Sequence, residues 1–78
     1  MTPDERTING KTYRVIIRPI GVLDMEGPML EVQVLEHGEF KPIAEERRMP
    51  SEADDDVLRD GWSIAQAHSE GKQWVIRS

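Results

Sequence analysis

One stretch restricts the fold more than any other: "SEADDDVLRDGWSIAQAHSEG", residues 51–71. At about 100° per residue, Ala53, Val57, Leu58, Gly61, Ile64, Ala65 and His68 fall within an arc of roughly 140°, with Trp62 on its flank. A helix with one apolar stripe must lay that stripe on another element, and the apolar runs elsewhere in the chain alternate with the period of strands. The chain therefore reads as α+β, a helix of about residues 52–70 packed on one face of a small antiparallel sheet. Gly61 costs about 1 kcal/mol against Ala in helix propensity. Its place near the centre of the arc, with Ala53 and Ala65 close to it, predicts a helix axis lying close to the strands. Ser51, ahead of Glu52 and three positions before Asp54, predicts a side-chain cap at the helix start. Gly71 is expected to close the helix as a left-handed cap, with Lys72 complementing the negative end of the dipole.

The strands come before it. Asn9-Gly10 suits a tight turn and leads into "TYRVIIRPI". There Tyr13, Val15 and Ile17 share one face, and Arg14, Ile16 and Arg18 the other, which predicts a strand over about 12–19 ended by Pro19. "GVLDMEGPM" reads as a hairpin loop, and "MLEVQVLE" as a second strand at 29–36 with Leu30, Val32 and Val34 on one side. A turn at "EHGEF" leads to a third strand at 39–47, placed at an edge by Pro42. Its register has two solutions. A two-residue His37-Gly38 turn sets Ile43 beside Val32, whereas a three-residue turn with a bulge sets Phe40 and Ala44 on that face. The result is a three-stranded meander. "KQWVIRS" reads as a short fourth strand at 73–77 or an extended tail; a strand there would lie beside the first one and parallel to it, making the helix a right-handed crossover.

With 78 residues the chain forms one domain, 1–78. Only 37% of it is apolar, with four aromatic side chains (one Phe, one Tyr, two Trp), so the core is aliphatic. In so short a chain apolar burial and lost conformational entropy nearly cancel, which makes a homodimer the expected state. The absence of cysteine removes disulfides, thiolate metal sites and a cysteine nucleophile. "MTPDERTING" has no apolar stretch of the signal-peptide kind, and no run approaches the roughly 18 apolar residues of a membrane span. A cytoplasmic protein with no membrane partner is expected. Formal charge is -5. The acid is concentrated where Glu52, Asp54, Asp55, Asp56 and Asp60 face Arg59 alone. Such a balance disfavours nucleic acid, although Arg14 and Arg18 could form a local basic strip.

The residues that usually carry chemistry have plainer explanations. Asp54, Asp55 and Asp56 are consecutive on a helix, so their side chains fan over roughly 200° and do not converge on one ion. They are expected to favour the positive end of the helix dipole. His68 belongs to the apolar arc, as a neutral core imidazole with one hydrogen bond, and His37 to a turn. Neither is in a metal-ligand spacing. Ser51 is assigned to the cap, Ser63 and Ser69 lie off the buried arc, and none stands in G-x-S-x-G. Asp24 and Glu26 are expected to be solvated. No catalytic, metal or cofactor site is assigned, and the chain is expected not to be an enzyme.

Surface is what remains. Arg14, Ile16 and Arg18 lie beside Glu31, Gln33 and Leu35 on the outer side of the sheet, where Ile16, Leu35 and either Phe40 or Ile43 stay wet unless a partner covers them. Val22, Leu23, Met25 and Met29 form a second candidate contact. The order strand, strand, strand, capped helix, with Gly61 inside the helix and Gly71 closing it, resembles a class of small bacterial proteins of uncharacterised function. That resemblance implies the fold and almost no activity. A second similarity, through "SEAD" at the helix start, is to HicB-type antitoxins, from which the chain departs in lacking their Pro-Gly-Cys-like segment and an appended DNA-binding domain. It implies a partner role in which Asp55, Asp56 and Asp60 neutralise a basic protein. Three expectations follow: a non-catalytic interaction module that self-associates, an antitoxin-like partner, or a small hydrolase or isomerase assembled at a dimer cleft.

Overall fold

The computed structural model describes residues 4–18, 27–49 and 51–72. Four strands, β1 (Asp4–Ile8), β2 (Lys11–Arg18), β3 (Met29–Glu36) and β4 (Glu39–Arg47), precede one helix, α1 (Asp54–Ser69). The strands form an antiparallel meander in the order β1-β2-β3-β4, and α1 packs on one face of it. No helix among the described residues is long and apolar enough to cross a membrane.

The sheet has one strand more at its N-terminal end than the three expected from the sequence. Asn9 and Gly10 have φ of 50° and 80°, the signature of a primed two-residue turn, and the turn folds β1 back on β2 in five regular pairs from Asp4↔Val15 to Ile8↔Lys11. β1 therefore occupies the flank of β2 where a C-terminal strand was expected. The fourth strand expected at 73–77 lies outside the described residues, as do Pro19, Val22, Leu23, Asp24, Met25 and Glu26.

The β3–β4 register combines elements of both solutions. His37 and Gly38, at φ of 51° and 80°, make a second primed two-residue turn, with Glu36 opposite Glu39 and Leu35 opposite Phe40. The ladder then slips: Gln33 faces Pro42 but Val32 faces Ala44, leaving Ile43 as an extra residue in a bulge. Proline has no amide hydrogen to give the ladder, so the irregularity falls beside it. The consequence is that Ala44 and Glu46 point toward the helix, and Phe40, Pro42 and Glu45 point away.

Tyr13, Val15, Leu30, Val32, Val34 and Ala44 from the sheet meet Val57, Ile64 and Ala65 from α1 in one core, flanked by Ile8, Ile17, Ile43, Leu58 and Trp62. Gly61 is the point of closest approach. A Cβ there would lie 2.6 Å from Val15 Cγ1 and 3.1 Å from Leu30 Cδ1, so only glycine lets α1 sit this low. Ala53 is exposed and lies just before the helix, outside the buried stripe.

The helix also starts differently from the reading of Ser51. Its N-cap is Ala53, with no side-chain cap, and Ser51 lies in the preceding turn. That turn is closed by Glu52, whose amide donates to Met49 O (3.1 Å) while its carboxylate Oε2 accepts from Met49 N (2.8 Å). Asp54, Asp55 and Asp56 are exposed in the first helical turn, where carboxylates favour the dipole. At the other end Lys72 N donates to Ala67 O (2.8 Å) and Gly71 N to His68 O (3.1 Å), a Schellman closure with Gly71 at φ 74°.

Candidate interaction surfaces

Because α1 covers one side only, the other side of the sheet is the first candidate site. Alternation along β2 sends Arg14, Ile16 and Arg18 to it, β3 contributes Glu31, Gln33 and Leu35, and β4 contributes Phe40, Pro42 and Glu45. The Arg14 guanidinium carbon lies over the Phe40 ring at 3.8 Å from its centre, and its Nη2 is 3.6 Å from Glu5 on β1. Arg18 Nη2 reaches Glu31 Oε1 at 2.9 Å, and Gln33 Nε2 donates to the other oxygen of that carboxylate. These long side chains close over the centre of the face, leaving Glu31 only 4% exposed. Arg14 Nε and Gln33 Oε1 are enclosed there without a hydrogen-bond partner among the described residues. Leu35, 38% exposed, and half-buried Phe40 are cross-strand neighbours at one end of this face, while half-buried Ile16 lies beyond the Arg14 and Gln33 row, opposite Glu31.

The helix side holds a site that the sequence reading missed. Arg48 is 6% exposed, and its guanidinium is surrounded by three carboxylates: Glu46 Oε1 at 3.1 Å from Nη1, Asp60 Oδ2 at 2.6 Å from Nη2, and Glu52, which takes Nε at 3.1 Å and also contacts Nη2. Its own amide donates to Pro28 O at 2.8 Å. A Cβ on Gly27 would fall 1.7 Å from the Arg48 carbonyl oxygen, so the backbone there is pressed against Gly27. One cation facing three acids leaves a local excess of negative charge. Burial is the main reason the Glu46 carboxyl is pushed above the ordinary glutamate value; the Asp60 and Glu52 charges add to it and Arg48 opposes it. The cluster clamps the end of β4 to the start of α1, and its inward acid and base were hidden in the sequence by the bulge that sets their direction.

The cluster also changes what the acidic helix can offer. Asp60, expected on a partner surface, is bound to Arg48. Asp56 lies 4.0 Å from Arg59, while Asp55 lines a groove between α1 and β1. That groove, about 790 Å³, has Leu58 and Trp62 along the helix and Arg6 along β1, with the Arg6 guanidinium 4.5 Å above the Trp62 ring. Among the described residues, no group of three or more His, Asp or Glu side chains is arranged to hold a metal ion.

His68 sits half-buried beside the core. Its Nδ1 lies 2.7 Å from the Tyr13 hydroxyl, with the rings edge to face at 79°. The Asn9 side chain donates to Ser69 Oγ at 2.9 Å, fastening the end of the helix to the β1–β2 turn. Burial, reinforced by the Glu36 charge, raises the Tyr13 phenol above its usual value. The phenol and the imidazole thus pair with one another at the edge of the core.

Comparisons with protein-family models, with curated proteins and with solved structures gave no match.

Proposed function

We propose that this is a cytoplasmic, non-catalytic protein-interaction module that self-associates and works through its sheet. The observation that carries the reading is the two-layer build: α1 covers one face, and the other keeps Leu35 and Phe40 side by side at its surface, with Ile16 further along β2 beside Glu31. Four strands about 4.8 Å apart and roughly eight residues long at ~3.3 Å each present some 500 Å² of face. Standard stable interfaces use about 800 Å² per partner, so contacts of this size support reversible association.

The alternative of neutralising a basic protein draws on Asp55 and Asp56, exposed in the first turn of the helix. Its footprint is smaller than the sequence implies, because Asp60 is committed to Arg48. Light scattering after gel filtration, followed through serial dilution, tests self-association. The expected mass is a multiple of the 8.9 kDa chain that falls on dilution. A strict 8.9 kDa monomer at every concentration contradicts the proposal.

A further inference from the structure

We infer that β1 is the edge through which a second copy of this chain joins the sheet, pairing antiparallel about a twofold axis at Glu5. The inference rests on the self-association proposed above and names its surface.

The two edges of the sheet are built differently. β4 carries Pro42, the Ile43 bulge and an exposed Lys41, features that keep another strand from docking. β1 has no proline and no bulge, and pairs with β2 in unbroken register. Among the described residues nothing pairs with its other side. The two-residue turn makes Ile8↔Lys11 a hydrogen-bonded pair, so the β1 residues bonded to β2 are Ile8, Arg6 and Asp4. The amides and carbonyls of Glu5 and Thr7 consequently point outward, free to form a second ladder.

Charge selects the register. With Glu5 opposite Glu5 of the second copy, Asp4 of each chain faces Arg6 of the other, giving two reciprocal opposite-charge pairs on the helix side. The one like-charge pair, between the two Glu5 side chains on the outer face, is offset by each chain's own Arg14, 3.6 Å from its Glu5. A register centred on Arg6 would instead oppose two guanidinium groups.

The third dimension also fits. α1 packs on β2 and β3 and barely reaches β1. Strand spacing of about 4.8 Å then places the two helices roughly 19 Å apart across the axis, against 8–10 Å for helices in direct contact. Arg6, Leu58 and Trp62 from both copies line this interval, so the two open grooves become one enclosed channel. The product is a continuous eight-stranded sheet with one doubled outer face.

The test is the dissociation constant by light scattering or sedimentation for Asp4→Arg, Arg6→Asp, the double exchange, and Glu5→Pro. Each single exchange is expected to weaken self-association at least ~10-fold, because the axis duplicates every lost pair, and the double exchange to restore it to within ~3-fold. Glu5→Pro removes the outward amide donor and the exposed carboxylate beside Arg14 but no hydrogen bond to β2, and is expected to abolish association with the circular dichroism unchanged; the charge exchange remains decisive if that variant unfolds. A wild-type oligomer that these variants leave intact and Leu35→Glu dissolves overturns the edge but keeps self-association. Association that appears only on removing residues 73–78 assigns the edge to the chain's own tail, which also overturns the proposal. A monomeric wild type removes both readings.

Discussion

Replacing Arg48 with Met keeps most of its length and removes its charge, and the structure sets the cost. Arg48 and Glu46 are each 6% exposed, and the guanidinium also holds Glu52 and Asp60. Without it three carboxylates share one partly enclosed space, and Glu46 is left buried without a cation. Removing one partner from a buried ion pair typically costs about 3–5 kcal/mol. A domain of this size has a total stability near the low end of ~5–15 kcal/mol, and each kcal/mol moves the melting temperature by about 4–8 °C. Arg48→Met is therefore expected to melt ~15 °C or more below wild type at neutral pH.

The loss must depend on pH. Burial already raises the Glu46 carboxyl above its unfolded value, so the folded state binds its proton more tightly. A group of this kind contributes stability that is fully present below the unfolded pKa and is lost as pH rises through the folded one. Removing Arg48 takes away the influence that opposes the shift, so the variant loses more stability than wild type between acid and neutral pH. Urea unfolding followed by circular dichroism, repeated from about pH 4.5 to 7.5, measures this. Glu46→Gln in the Arg48→Met background is expected to recover part of the loss at neutral pH. A deficit under 1 kcal/mol at neutral pH, or one independent of pH, refutes the reasoning and makes the cluster an ordinary solvated ion pair.

Three further substitutions test the packing. Gly61→Ala gains about 1 kcal/mol of helix propensity, but its Cβ at 2.6 Å from Val15 Cγ1 must displace a core side chain, and a net loss of ~1–3 kcal/mol is expected by urea unfolding. Gly27→Ala, whose Cβ would meet the Arg48 carbonyl at 1.7 Å, should loosen the same clamp and lower the melting temperature by ~10 °C or more. Tyr13→Phe removes the hydroxyl bonded to His68 at a cost of about 1 kcal/mol. Because Tyr13 is the chain's one tyrosine, phenolate absorbance reports it alone. Its raised pKa means that stability held below the unfolded value is lost as pH rises through the folded one, so ionisation should accompany alkaline unfolding, and that step should be absent from Tyr13→Phe.

The parts of the fold legible in the sequence were those with a strong period or a strong turn. β3 and β4 have the expected bounds, because Leu30, Val32 and Val34 alternate without a break and His37-Gly38 ends them. The buried helical stripe of Val57, Gly61, Ile64 and Ala65 was equally plain. β1 was not, since "DERTI" has only Ile8 as an apolar residue and the Asn9-Gly10 turn is followed, but not preceded, by an apolar alternation. Ser51 matched a capping pattern, yet the guanidinium of Arg48 draws Glu52 toward β4 and the turn closes through that carboxylate instead. The Arg48 cluster was invisible for a geometric reason. Without the bulge at Ile43, Glu46 would point to the outer face; one extra residue turns it inward. On the outer face, Arg14, Ile16, Arg18 and Leu35 were placed correctly, but not the stacking of Arg14 on Phe40, which depends on that same register.

Hydrogen exchange of single backbone amides, measured at several protein concentrations, tests most directly whether this chain works by meeting itself at the sheet. Protection of the Glu5 and Thr7 amides should rise with concentration while that of the Val32 amide, inside the meander, stays constant. Exchange at Glu5 and Thr7 that is equally fast in dilute and concentrated protein would contradict it.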